Sequence, residues 1–126
     1  MYKVEYDEEG VLIHQILTGY WTLEQFRAYE ADFLHAVTLA KKLHRYFRIM
    51  SEATEFMVQS PEVSHGFAEL MRPLVSVGRC PFAIVASSML NKKQVERVFP
   101  YSNVRMFRDR TQARAWLFED GVLPRE

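Results

Sequence analysis

At 126 residues, 48% of them apolar, the chain is long enough for one domain with its own core and too short for two. Sixteen Lys and Arg balance sixteen Asp and Glu, which removes the general attraction of a basic protein for nucleic acid or acidic lipid. One cysteine, Cys80, excludes an intrachain disulfide, gives no metal cluster and suits a reducing cytoplasm.

The N-terminal "MYKVEYDEEG" is charged and alternating, without the apolar core of a signal peptide, and no later run is long enough for an integral membrane segment. The expected setting is therefore the cytoplasm. In "YKVEY", Tyr2, Val4 and Tyr6 share one face, the pattern of a strand with one wet side. A turn over Asp7 to Gly10, with Gly10 free to take positive φ, leads into "VLIHQIL" as the second strand of an antiparallel hairpin. Thr22 and Gln25 form a capping box, and Trp21 is placed to staple on Phe26. Leu23, Phe26, Phe33, Leu34 and Val37 then recur at helical spacing, predicting a helix to about Leu43.

"RYFRIM" predicts a short strand, and "SEATEFMVQ" an irregular stretch. Ser60 followed by Pro61 is the entry of a second helix: the hydroxyl accepts an orphan N–H, and proline at the first helical position gives up no useful donor. Its apolar stripe is Val63, Phe67, Leu70, Met71 and Leu74, with Pro73 bending or ending it and Gly78 as the stop. "CPFAIVAS" is apolar on both faces, as a strand inside a parallel sheet should be. "SMLNKKQVERVF" predicts a third helix and "NVRMF" the last strand. Asp109 with Gln112 makes another capping box, opening a fourth helix that buries Ala113, Trp116 and Leu117. The expected fold is α/β in the order β-β-α-β-α-β-α-β-α. It is a single domain over residues 1–126, with a mostly parallel mixed sheet of about five strands, an N-terminal hairpin and about four helices.

Little in this pattern carries reaction chemistry. His14, His35, His44 and His65 have no close ligand spacing, so neither a metal nor another cofactor is expected. His65 with Glu62 or Glu69 falls at helical spacing that side-chain pairing explains without catalysis. Cys80 precedes Pro81 without a Cys-x-x-Cys partner and reads as apolar packing. Lys41, Lys42, Arg45 and Arg48 cluster near the end of the first helix, where cations complement its dipole; Lys92, Lys93 and Arg97 make a solvated face. Ser87 and Ser88 follow a buried strand, at the kind of strand end where open α/β sheets gather ligands, and Ser88 or Asn91 can equally cap the next helix. Phe56, Met57 and Val58 are soft apolar side chains in the stretch expected to be irregular, with Met50, Met71 and Met89 in reach if it folds over the sheet. They either close the core or line an adaptable apolar cavity.

Three segments, "GYWTLEQFRAYEADF" (19–33), "AIVASSMLNKKQVERVF" (83–99) and "VRMFRDRTQARAWL" (104–117), together with the element order, resemble the STAS-like domains. The likeness is greatest to a SpoIIAA-like branch of mostly uncharacterised bacterial proteins. The resemblance implies a non-enzymatic binding or regulatory module, its partner another protein or an apolar small molecule, with self-association into a homodimer through an apolar helix face also compatible. The expected ligand contacts are Phe56, Met57, Met71, Ser87, Ser88, Met89 and Asn91. In anti-sigma antagonists the phosphate-accepting serine follows the third strand in an Asp-Ser-Ser-Gly-like turn. Here that strand runs into Ser51, Glu52 and Ala53 with no glycine nearby, and Ser60 lies further on. A phosphoswitch at Ser51 or Ser60 is thus the first alternative, and an enzyme of unknown type the second.

Overall fold

The computed structural model describes the whole chain except Ser88 and the side chains of Met89, Leu90, Asn91 and Gln94. Strands β1 (Tyr2–Asp7) and β2 (Leu12–Gly19) pair antiparallel, with Tyr6 opposite Ile13. Positive φ in the turn falls on Val11 (50°) rather than on Gly10. This is costly for a β-branched residue, and it is held from both sides: Val11 N–H donates to the Glu8 carbonyl, and the Val11 carbonyl accepts from Arg48 N–H at 2.9 Å.

Helix α1 (Leu23–Lys41) starts at the expected capping box, with Thr22 Oγ1 accepting Gln25 N–H at 3.1 Å and Gln25 Oε1 accepting Thr22 N–H at 2.8 Å. Its buried stripe is Phe26, Tyr29, Phe33, Ala36, Val37 and Ala40. Leu23 and Leu34, expected inward, are exposed: at about 100° per residue they fall just beyond the edge of that stripe.

The largest departure is β3, which spans Arg48–Phe56 and so includes most of the stretch expected to be irregular. Ile16 lies opposite Glu52 but Thr18 opposite Glu55, so β3 carries one extra residue there. This bulge reverses the alternation, and Ala53 and Phe56 both face the same core. A simple period of two cannot register such a strand.

Helix α2 (Pro61–Arg72) is capped by Ser60, whose Oγ accepts Val63 N–H at 3.3 Å. From Pro73 the chain widens into a π-helical turn, Pro73–Val77, closed by Gly78 N–H on the Pro73 carbonyl at 2.9 Å. Strand β4 (Phe82–Val85), helix α3 (Met89–Val98), strand β5 (Val104–Phe107) and helix α4 (Arg110–Leu117) complete the chain. Asp109 Oδ1 caps α4 by accepting Gln112 N–H at 2.8 Å, which is one half of the expected capping box; the return bond to the Gln112 side chain is not made among the described residues.

The five strands lie in the order β1-β2-β3-β4-β5, parallel apart from the opening hairpin. One face, through Ile13, Leu17, Ile49, Phe82 and Ile84, packs under α1, α2, the π-helical turn and the inward side of α3. The other, through Leu12, Met50, Ala83 and Val85, is covered by α4. Met50 therefore points away from Met71, contrary to expectation, because it is out of phase with Ile49 and Ser51 along β3. Arg48 likewise leaves the Lys41–Arg45 cluster. Its Nε donates to the Leu117 carbonyl at 2.8 Å, its Nη1 to Gly10 at 2.6 Å, and its guanidinium lies 4.1 Å from the Phe118 ring centre. Since the strand order never reverses, the sheet has, among the described residues, no topological switch point of the kind that forms a ligand crevice at strand ends.

Candidate functional site

Where α2 and α3 meet the sheet they leave a pocket of about 170 Å³. Leu17, Ala53 and Phe56 from β2 and β3 form one wall, and Phe82 and Ile84 from β4, with Ala86 just beyond it, form its base. Phe67 and Met71 come from α2, and Val95, Val98 and Phe99 from α3 and its exit. The bulge in β3 creates this shape, since a regular strand would direct Phe56 to the opposite face. Met57 and Val58, 59% and 57% exposed, stand at the mouth.

Gln59 holds this strap in place. Its Oε1 accepts Trp21 N–H at 2.8 Å, and its Nε2 donates to the carbonyls of Gly19 (2.8 Å) and Met57 (2.6 Å). The strap between β3 and α2 is thereby fastened to the end of β2 and the loop that follows it, and Gly19, the last residue of β2, takes φ +85°, a conformation that favours glycine.

The pocket also has a polar floor. Gln15 and Ser51 are neighbours across β2 and β3, line the pocket and are almost wholly buried. Tyr29 OH donates to Gln15 Oε1 at 2.6 Å, and Gln15 Nε2 donates to Ser51 Oγ at 2.5 Å. Burial drives the Tyr29 phenol far above its ordinary value of 10.0. A raised value in the fold means that Tyr29 contributes its full stability below pH 10, and loses it as the pH climbs above 10 and the unfolded phenol ionises. Urea titrations from pH 9 to 11 should show unfolding free energy falling with pH, and Tyr29→Phe should reduce that slope by up to about 1.4 kcal/mol per pH unit. An unchanged slope in the variant would dissociate Tyr29 from the alkaline loss.

No family model matches the chain, and no curated protein matches it. Among solved structures it is similar to an uncharacterized protein of the DUF3478 family with a SpoIIAA-like fold from Shewanella loihica PV-4. The match has a TM-score of 0.66 and 16% identity, over 93% of this chain and 92% of that one. The fold is SpoIIAA-like.

Within this SpoIIAA-like fold the expected contact residues separate. Phe56, Met57 and Met71 converge on the pocket. Ser87 is exposed beyond the end of β4 and does not line it. Ser88 lies outside the described residues, as do the side chains of Met89 and Asn91. Ser51 is buried in the middle of a strand, with its oxygen already accepting from Gln15, and Ser60 Oγ is occupied as a helix cap. Gln15 and Tyr29 carry the floor yet escape sequence reasoning. The available signal was a glutamine alternating with Ile13 and Leu17 on the inward face of a strand, which demands a buried partner.

The remaining polar groups lie elsewhere. On the α4 face, His14 Nε2 meets Glu52, whose other oxygen pairs with Arg110 at 2.9 Å. His65 is exposed on α2, and Glu69 there pairs with Arg72. Cys80 is buried, and burial pushes its thiol up, away from nucleophilic use. Among the described residues no group of three His, Cys, Asp or Glu is arranged to hold a metal, and no helix is long and apolar enough to cross a membrane.

Proposed function

We propose that this chain is a non-enzymatic binding module whose ligand is a small apolar molecule held between α2, α3 and the sheet. The observation that carries this reading is the pocket, an apolar chamber on two buried polar side chains with adaptable thioethers in its walls. Its volume is comparable to the roughly 150 Å³ of an apolar cavity that takes up benzene. Support for a non-enzymatic role comes from the walls, where none of the described lining side chains is titratable within the range of general acid–base work. A second reading, recognition of another protein, is favoured by exposed Met57 and Val58 on the strap, which is bonded to Gly19 next to exposed Tyr20. Phosphorylation at Ser51 has least support, since the hydroxyl would have to leave the core.

A simple apolar probe, α-methylstyrene, tests the reading. In methyl-detected NMR titrations of the full chain it should perturb Met57, Met71 and Val95. Ala53→Phe, which places a ring inside the pocket from a half-buried wall position, should weaken binding at least tenfold while the thermal midpoint holds or rises. Perturbations that map elsewhere, or that survive Ala53→Phe, would overturn the assignment.

A further inference from the structure

The floor of the pocket has a direction. Tyr29 donates to Gln15, Gln15 donates to Ser51, and among the described residues the Ser51 hydroxyl donates to nothing. The relay therefore ends on an O–H proton at the edge of the apolar chamber, carried by a side chain only 3% exposed. Each bond polarises the next, so the terminal hydroxyl is a better donor than an isolated serine. A buried donor without a partner is unfavourable, and whatever fills the pocket is selected by whether it offers an acceptor at that point.

Charge is selected against in the same place. None of the described side chains lining the pocket is ionised, so a carboxylate or ammonium would lose its hydration without a counter-ion. The volume, about 170 Å³, restricts the occupant to about one ring with a short substituent.

We infer that the pocket takes a neutral, ring-sized apolar molecule bearing one hydrogen-bond acceptor, such as an aryl ketone or aldehyde, seated with that acceptor on the Ser51 hydroxyl. This rests on the reading of the pocket as a ligand site and adds the chemical class that the site distinguishes. Ser51 is the specificity-determining residue, and Gln15 and Tyr29 are positioning residues that fix where its oxygen sits and which way its proton is free to turn.

The test uses three molecules of one shape: acetophenone, α-methylstyrene, in which a methylene replaces the ketone oxygen, and benzoate, which is charged. Affinities are measured by calorimetry for the full chain and for Ser51→Ala. The ratio of acetophenone to α-methylstyrene affinity should be about five- to tenfold higher in the wild type than in Ser51→Ala, the worth of one neutral hydrogen bond. Taking the ratio cancels the greater hydrophobicity of the hydrocarbon. Benzoate should bind more weakly than acetophenone in both proteins. If Ser51→Ala does not fold, the wild type alone decides: the carbonyl stretch of bound acetophenone should move to lower frequency than in an aprotic solvent. An equal ratio in the two proteins, an unshifted carbonyl, or benzoate as the tightest ligand overturns the inference and leaves the broader reading standing. Failure of acetophenone and α-methylstyrene alike to bind overturns both.

Discussion

Replacing Trp21 with alanine is expected to destabilise the protein by about 3–5 kcal/mol, the range for emptying a buried aromatic site. Trp21 is 2% exposed and lies where α1, β1, the end of β3 and α2 converge. Its ring centre is 5.2 Å from that of Tyr29, 5.0 Å from Phe56, 5.5 Å from Phe67 and 5.7 Å from Tyr2. Its indole N–H also donates to the Thr18 carbonyl at 2.8 Å. Alanine leaves a cavity bordered by stiff rings that cannot collapse into it, so the cost belongs at the upper part of the range. A domain of this size has a total stability of only about 5–15 kcal/mol. Urea denaturation followed through Trp116, on the opposite face of the sheet, should show a large drop in midpoint with little change in slope. Trp21→Phe keeps a ring but removes the indole donor and should cost distinctly less. A loss below about 1 kcal/mol for Trp21→Ala would mean that the aromatic cluster does not hold α1 and α2 together.

The second large effect is expected at Gly66. In an exposed helix, Gly→Ala is stabilising by about 1 kcal/mol. Here a Cβ would stand 2.6 Å from a ring carbon of Phe26, whose side chain is fully buried and boxed in by Tyr29 and Phe67. The ring cannot move aside, so α1 and α2 must separate, and overpacking of this kind costs about 1–3 kcal/mol. The sign is therefore reversed: Gly66→Ala should lower stability and loosen the α1–α2 contact beside the pocket. Thermal denaturation settles the sign directly, and a raised midpoint would show that the helices have slack.

Much of the fold is legible in the chain because short-range chemistry announces it. Thr22 with Gln25, Ser60 with Pro61, and Asp109 each place a helix start where the structure has one, since a cap is decided by residues three apart. The run from Phe82 to Val85, apolar on both faces, identifies a central parallel strand for the same reason. The second half of β3 is not legible, because its bulge depends on how Glu52 and Glu55 register against Ile16 and Thr18, far away in sequence. The site divides in the same way. Phe56, Met57 and Met71 stand out as soft apolar side chains, but the relay from Tyr29 through Gln15 to Ser51 exists only once α1 lies on the sheet and β2 pairs with β3. Arg48 looked like one more cation in a basic run until its neighbours across the sheet, Gly10 and Leu117, defined its place.

The uninterrupted sequential strand order has a further consequence for biogenesis. Each new β-segment lays down beside the one synthesised just before it, so a chain leaving the ribosome can assemble course by course from a single nucleus, each parallel step closing only the one helical crossover between neighbouring strands. The growing margin is adhesive at each stage and ends on β5, an edge strand of only four residues. The back of that half-built wall is sealed last, when α4 swings across.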